Sequence, residues 1–108
     1  GSHLWWTGAK PGAKLTIAFK ATKSGKQKVS AVFTKAPDYG IVSITLDGKP
    51  TAIAEYDLYD PQVIPTGLES LGEFDLTAGD HSLEVTITGS NANARPSHMF
   101  ALDYLKLE

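Results

Sequence analysis

Apolar and polar residues alternate along most of this chain. Leu15, Ile17 and Phe19 interleave with Thr16, Ala18 and Lys20, and Val29, Ala31 and Phe33 repeat the period. Val42, Ile44 and Leu46 alternate with Ser43, Thr45 and Asp47, as Leu83, Val85 and Ile87 do with Glu84, Thr86 and Thr88. A period of two sends successive side chains to opposite faces of a strand, one toward a core and one toward water. No stretch of eleven or more residues keeps a helical stripe between turn signals. The pattern predicts an all-β chain with strands at 13–21, 27–34, 40–47, 51–59, 71–76, 81–89 and 99–107. Phe19, Val29, Phe33, Ile44, Leu46, Leu83, Val85 and Ile87 form the expected core.

The punctuation between strands agrees. Lys23-Ser24-Gly25-Lys26, Asp47-Gly48-Lys49 and Thr77-Ala78-Gly79-Asp80 each separate two alternating runs, and Asp-Gly supplies the positive φ of tight hairpins. Short strands joined by such turns predict an antiparallel β-sandwich or barrel. The last strand carries a conflict: Phe100, Leu102 and Tyr104 share one parity, while Met99, Ala101, Leu105 and Leu107 share the other. A bulge near Asp103-Tyr104 resolves it by bringing both halves into one register.

If successive strands run antiparallel, their connections fall at alternate ends of the sandwich. Segments 21–26, 48–50 and 77–80 then form a tight-turn end. The longer segments 7–12, 35–39, 60–70 and 90–98 gather at the other end. Loops on a rigid scaffold are where binding residues concentrate, so the long-loop end is the expected site of function.

At 108 residues the chain fits one domain. Its 42% hydrophobic and 20% charged residues are those of a globular protein. A net charge of −2 gives no basic patch for nucleic acid. The lysines Lys20, Lys23, Lys26, Lys28 and Lys35 read as a solvated strand face. No apolar run has the length of a transmembrane helix, about 20 residues. No cysteine is present, which removes disulfides and thiol zinc sites and leaves the compartment open. Gly1-Ser2-His3 reads as a tag remnant, with the domain at 4–108.

The order Trp6-Thr7-Gly8, Lys10-Pro11-Gly12-Ala13-Lys14-Leu15, then Ser24-Gly25-Lys26-Gln27-Lys28-Val29, resembles the jelly-roll carbohydrate-binding modules of families 6 and 35. The resemblance continues in Ile44-Thr45-Leu46-Asp47-Gly48, in Leu76-Thr77-Ala78-Gly79-Asp80-His81-Ser82-Leu83 and in Leu102-Asp103-Tyr104-Leu105-Lys106-Leu107. The chain is also similar to galactose-binding-like domains appended to large secreted bacterial glycoside hydrolases. This likeness implies a jelly-roll fold and a non-catalytic module outside the cytoplasm, extracellular or periplasmic. Its implied partners are an oligo- or polysaccharide and a parent catalytic domain, with no nucleic acid or membrane. It also implies a structural calcium shared by the final-strand aspartate, here Asp103. The glutamates that share the ion in those families have no counterpart in this sequence.

Trp5 and Trp6 must face opposite ways on an alternating strand, one into the core and the other outward or toward the loops. Indole faces stack well on sugar rings, and the alternative reading makes both tryptophans structural. In the loop before the third strand, Tyr39 reads either as a stacking platform with Asp38 as hydroxyl acceptor, or as a core plug beside a turn-capping aspartate. Glu55, Asp57 and Tyr59 share one strand face, a cation or sugar site if not a solvated acidic edge. Asn91, Asn93, Arg95 and His98 lie in the polar loop before the last strand. Amides both donate and accept, which suits a vicinal diol. Catalysis finds no inventory: there is no cysteine nucleophile, no nucleophile-elbow serine, no phosphate loop and no His-x-x-x-His pair. The expected function is glycan binding at the long-loop end, with interdomain or oligomer docking through the same end as the alternative.

Overall fold

The computed structural model describes residues 4–6, 10–94 and 98–108, with the backbone alone for residues 4 and 5. The described residues form nine strands: β1 (Leu4–Trp6), β2 (Lys14–Ala21), β3 (Gly25–Lys35), β4 (Ile41–Leu46), β5 (Lys49–Pro50), β6 (Tyr56–Asp57), β7 (Ile64–Leu76), β8 (Gly79–Gly89) and β9 (Phe100–Leu107). They make two antiparallel sheets. One is ordered β1-β9-β3-β7 and the other β2-β8-β4-β5, with β6 also paired to β4. Consecutive long strands cross from one sheet to the other, the wrapping of a jelly-roll sandwich. The proposed tag remnant lies outside the described residues.

The core fills the space between the sheets, as the alternation requires. Val29, Phe33, Ile44, Leu46, Leu83, Val85 and Ile87 are at most 2% exposed, and Phe19 packs half-buried at the margin. Phe33 anchors the middle, tilted against Phe100 at 5.9 Å and edge-on to Tyr56 at 6.0 Å. Removing so large a buried ring costs about 3–5 kcal/mol. At the hairpin after β4, Asp47 (φ 50) and Gly48 (φ 81) both occupy the left-handed region. Two positive φ values give the turn whose twist matches its flanking strands.

The bulge in β9 is where the parity conflict places it. Val32 pairs with Tyr104 and Phe33 with Leu102, so Asp103 is the extra residue. Leu102, Leu105 and Leu107 thereby face the core opposite Phe33, Ala31 and Val29. Tyr104 and Lys106 turn to solvent. Both carboxylate oxygens of Asp103 accept from the Thr34 hydroxyl, at 3.1 and 3.3 Å.

Two expectations change. Where the alternation predicts a continuous strand at 51–59, only Tyr56–Asp57 pairs with β4. Glu55 adopts φ 53, which turns the backbone out of the ladder. Glu55, Asp57 and Tyr59 therefore share no strand face. Conversely, most of the loop expected at 60–70 is strand, because β7 runs from Ile64 to Leu76. Gly67 (φ 82) and Gly72 (φ 120) absorb its irregularities, and Pro65 is tolerated because β7 is an edge strand. At the first irregularity the Thr66 hydroxyl accepts the Phe33 N–H at 3.1 Å, in place of a ladder carbonyl.

Candidate functional site

Parts of three of the long connections meet at one end, where backbone hydrogen bonds knit them together; residues 7–9 of the fourth lie outside the described residues. Gly40 N–H donates to Met99 O at 3.0 Å, and Met99 N–H donates to Asp38 O at 3.0 Å. Leu58 N–H reaches Gly40 O at 3.1 Å, and Ala36 N–H reaches Leu58 O at 3.0 Å. Segments 36–40, 57–60 and 98–99 thus form one bonded unit. Gly40 sits where they converge. A Cβ there would lie 3.2 Å from Gly89 O and 3.6 Å from His98 Cβ, so any side chain would need the Gly89 carbonyl to give by a few tenths of an ångström.

Above this unit lies a polar patch organised by Asp57. Its Oδ2 accepts the Asn91 amide at 2.7 Å, and its Oδ1 accepts the Tyr59 backbone N–H at 2.9 Å. Asn91 Oδ1 in turn accepts Asn93 N–H at 2.9 Å, and Asn91 O accepts Ala94 N–H at 3.0 Å. One carboxylate therefore fixes both the loop after β6 and the loop after β8. Beside it the Glu55 carboxylate accepts the Thr88 hydroxyl at 3.0 Å. On the neighbouring flank Lys35 Nζ lies 5.6 Å from the Tyr56 ring centroid. Burial first, and then the Glu69 carboxylate, hold the Tyr56 phenol above its usual pKa.

The expected site residues divide. Asn91 and Asn93 join Tyr59 around Asp57, with Asn93 exposed and the other two half-buried. Asp38 is half-buried in the adjoining turn. Tyr39 is 7% exposed and belongs to the core. Its packing across the sandwich end leaves no open ring face for a sugar, so the plug reading replaces the stacking one. Trp6 packs half-buried against the core and pairs with Phe100. The side chain of Trp5 and all of Arg95 lie outside the described residues.

Asp57 is the organiser that sequence reasoning passed over. The sequence marks it only as one of two acids sharing a strand face with Tyr59, and nothing local marks its partner 34 positions away. Among the described residues no group of three or more His, Asp or Glu side chains could hold a metal. The donors and acceptors of the patch suit hydroxyl groups, because amides supply both roles and carboxylates accept. A groove of about 270 Å³ lies elsewhere, between β2 and β9. Ile17, Phe19, Leu102, Leu105 and Leu107 line it, and with Lys20 as its sole charged side chain it lacks the converging polar groups of a sugar site.

No protein-family model matches the chain, and neither does any curated protein. Among solved structures it is similar to a xanthan lyase of Paenibacillus, determined at 2.6 Å resolution. That match has a TM-score of 0.82 at 17% identity, and covers 97% of this chain and 10% of the lyase chain. At this identity the likeness establishes the fold, and the chain spans about a tenth of the length of the protein it matches.

Proposed function

We propose that this domain is a non-catalytic carbohydrate-binding accessory module of a larger secreted enzyme, taking glycan at the long-loop end. One observation carries the reading: the whole sandwich superposes on one tenth of a xanthan lyase, an enzyme that acts on a polysaccharide. A fold reused as a small part of a large enzyme fits an accessory role, with chemistry residing elsewhere in that chain. The Asp57–Asn91–Asn93 patch, flanked by Tyr59 and Asp38, supplies the polar half of a sugar site. Trp5 and Arg95 are the proposed aromatic and cationic additions. A secreted location, outside the cytoplasm, follows from the same reading. A calcium at Asp103 is kept as a separate proposal, for which the Thr34 hydroxyl is the neighbouring oxygen.

Affinity for one sugar should be weak, about micromolar to millimolar, because protein–sugar hydrogen bonds replace bonds to water. Retention would come from several modules acting together. The test is NMR titration of the labelled domain with mono- and oligosaccharides. Shifts at 36–40, 57–60 and 90–99 support the placement, and shifts confined to the tight-turn end refute it.

A second reading, docking onto a neighbouring domain, is favoured by a different surface. Leu68, Val32 and Tyr104 form a cross-strand row over β7, β3 and β9 on the outer sheet face. Leu68 is 48% and Tyr104 44% exposed. Silence against a broad glycan panel would favour this reading.

A further inference from the structure

At the tight-turn end the His81 ring lies between two acceptors. Nδ1 is 2.6 Å from Asp47 Oδ2, and Nε2 is 2.6 Å from Thr77 O. A backbone carbonyl has no proton to give. The Asp47 carboxylate has none either, since its other oxygen accepts Ser82 N–H at 2.9 Å and Lys49 adds a favourable charge. A neutral imidazole offers one donor and one acceptor, so it satisfies one partner and turns a lone pair on the other. Only the imidazolium donates to both.

We propose that His81 is a proton-operated clasp, joining the β4–β5 hairpin to the β7–β8 turn only while its ring is cationic. The ring cannot simply rotate away. Its side chain is 8% exposed and stacks on Phe19 of β2 at 5.7 Å. Among the described residues the charged groups around it are few. Asp47 faces it from the hairpin and Asp80 from β8, while Lys49 acts on Asp47 and Lys20 of β2 lies 4.0 Å from Asp80. The β7–β8 turn presents the Thr77 carbonyl. That carbonyl first, and then the Asp47 carboxylate, hold the ring above the usual histidine pKa against the cost of burial.

The two contacts separate unequally when the proton leaves. A hydrogen bond to a carboxylate is stronger than one to a neutral carbonyl, so the remaining proton stays on Nδ1 facing Asp47. Asp47 is also tied to Ser82 through its own N–H, at 2.9 Å from Ser82 O. The β7–β8 turn therefore lets go. It keeps the bond from Ala78 N–H to the Ser24 hydroxyl, at 2.9 Å, so the opening is local.

The experiment is a titration of the nitrogen-labelled domain from about pH 5 to about pH 9, the range spanning histidine ionisation. It reads the His81 ring nitrogens and the amide protection factors at 77–79. Both ring nitrogens should be protonated at the acid end, with a midpoint above that of free histidine. Protection at 77–79 should then fall several-fold with the same midpoint, leaving an Nδ1–H tautomer. Asp47→Asn, which keeps the shape and removes the charge, should lower that midpoint. His81→Phe should abolish the pH dependence of the turn, and if it fails to fold the Asp47→Asn result decides. A ring singly protonated at the acid end would overturn the clasp, as would a midpoint at or below that of free histidine. Turn protection that stays constant while His81 titrates would overturn it too.

Discussion

The Asn91 side-chain amide donates to Asp57 Oδ2 across 2.7 Å, linking loops that lie 34 residues apart in sequence. Asp57 also accepts the Tyr59 N–H, so one side chain holds two loops in place. Asp57→Ala should cost about 1–3 kcal/mol, the range for a lost bond to a charged acceptor. A urea-unfolding midpoint measures the loss. Amide exchange should rise at 91–94 and 57–60 more than in the sheets. Uniform acceleration everywhere would mean that Asp57 supports the whole sandwich rather than this end.

The extra residue in β9 yields a prediction with unequal arms. Deleting Asp103 leaves Leu102 and Leu105 two positions apart, so the core face keeps its apolar side chains. The cost is the Thr34 bond and the local bend. Deleting Lys106 instead, where the ladder is regular, leaves Leu105 and Leu107 adjacent and sends Leu107 toward water. A half-buried leucine lost in this way contributes on the order of 1 kcal/mol. The Asp103 deletion should therefore fold with the smaller loss by thermal unfolding, and the reverse order would refute the bulge assignment.

Much of this architecture is legible in the sequence because a half-buried strand writes its period directly. The core of β2, β3, β4 and β8, the Asp47-Gly48 turn and the β9 bulge all follow from parity or from a residue's allowed φ. The clustering of long loops follows from counting strands. What is missed is non-local. Glu55 at φ 53 has no composition cue, since glutamate seldom adopts that conformation. Pro65 and Gly67 look like loop residues, yet an edge strand tolerates both. Tyr39 reads equally as platform or plug until the sheets close over it. The side-chain partners of Asp57 and His81, Asn91 and Asp47, each lie 34 residues away, and no local pattern announces them.

Stability should peak in mildly acidic solution, and the two ionisations of the clasp set its limits. For His81 the folded pKa is raised, so its contribution is complete below the unfolded value of about 6.5 and fades as pH climbs through the folded value. For Asp47, burial pushes the pKa upward, but the His81 and Ser82 hydrogen bonds and the nearby charges of His81 and Lys49 outweigh it. Its folded pKa is therefore lowered. That contribution is present above the unfolded value of about 3.9 and is lost as pH falls through the folded value. The plateau should lie between about pH 4 and pH 6.5. Melting temperatures across that range, in wild type and Asp47→Asn, test it. A wild-type curve still rising above neutral pH would contradict the His81 limb.

The last prediction separates residues that would touch glycan from those that hold the site's shape. Tyr39 is buried, so Tyr39→Ala should cost about 3 kcal/mol or more of stability, as large-to-small core changes do. Any binding it loses would follow from loosening of the loop end. Tyr39→Phe, which keeps the ring in the core, should leave glycan binding nearly intact. Asn93 is exposed, and its backbone N–H donates to Asn91 Oδ1 at 2.9 Å, next to the Asp57 carboxylate's own partner. Asn93→Ala should leave the melting temperature within a degree or two, since exposed substitutions change stability by about 0.5 kcal/mol or less. It should still weaken glycan binding several-fold, because a bound hydroxyl would lose its partner at about 1 kcal/mol. Tyr59→Ala lies between, with a modest stability loss and a larger binding loss. Paired melting curves and NMR titrations on the four variants decide the matter. If Asn93→Ala and Tyr59→Ala both bind like wild type while folded, the sugar site does not lie on the Asp57 patch.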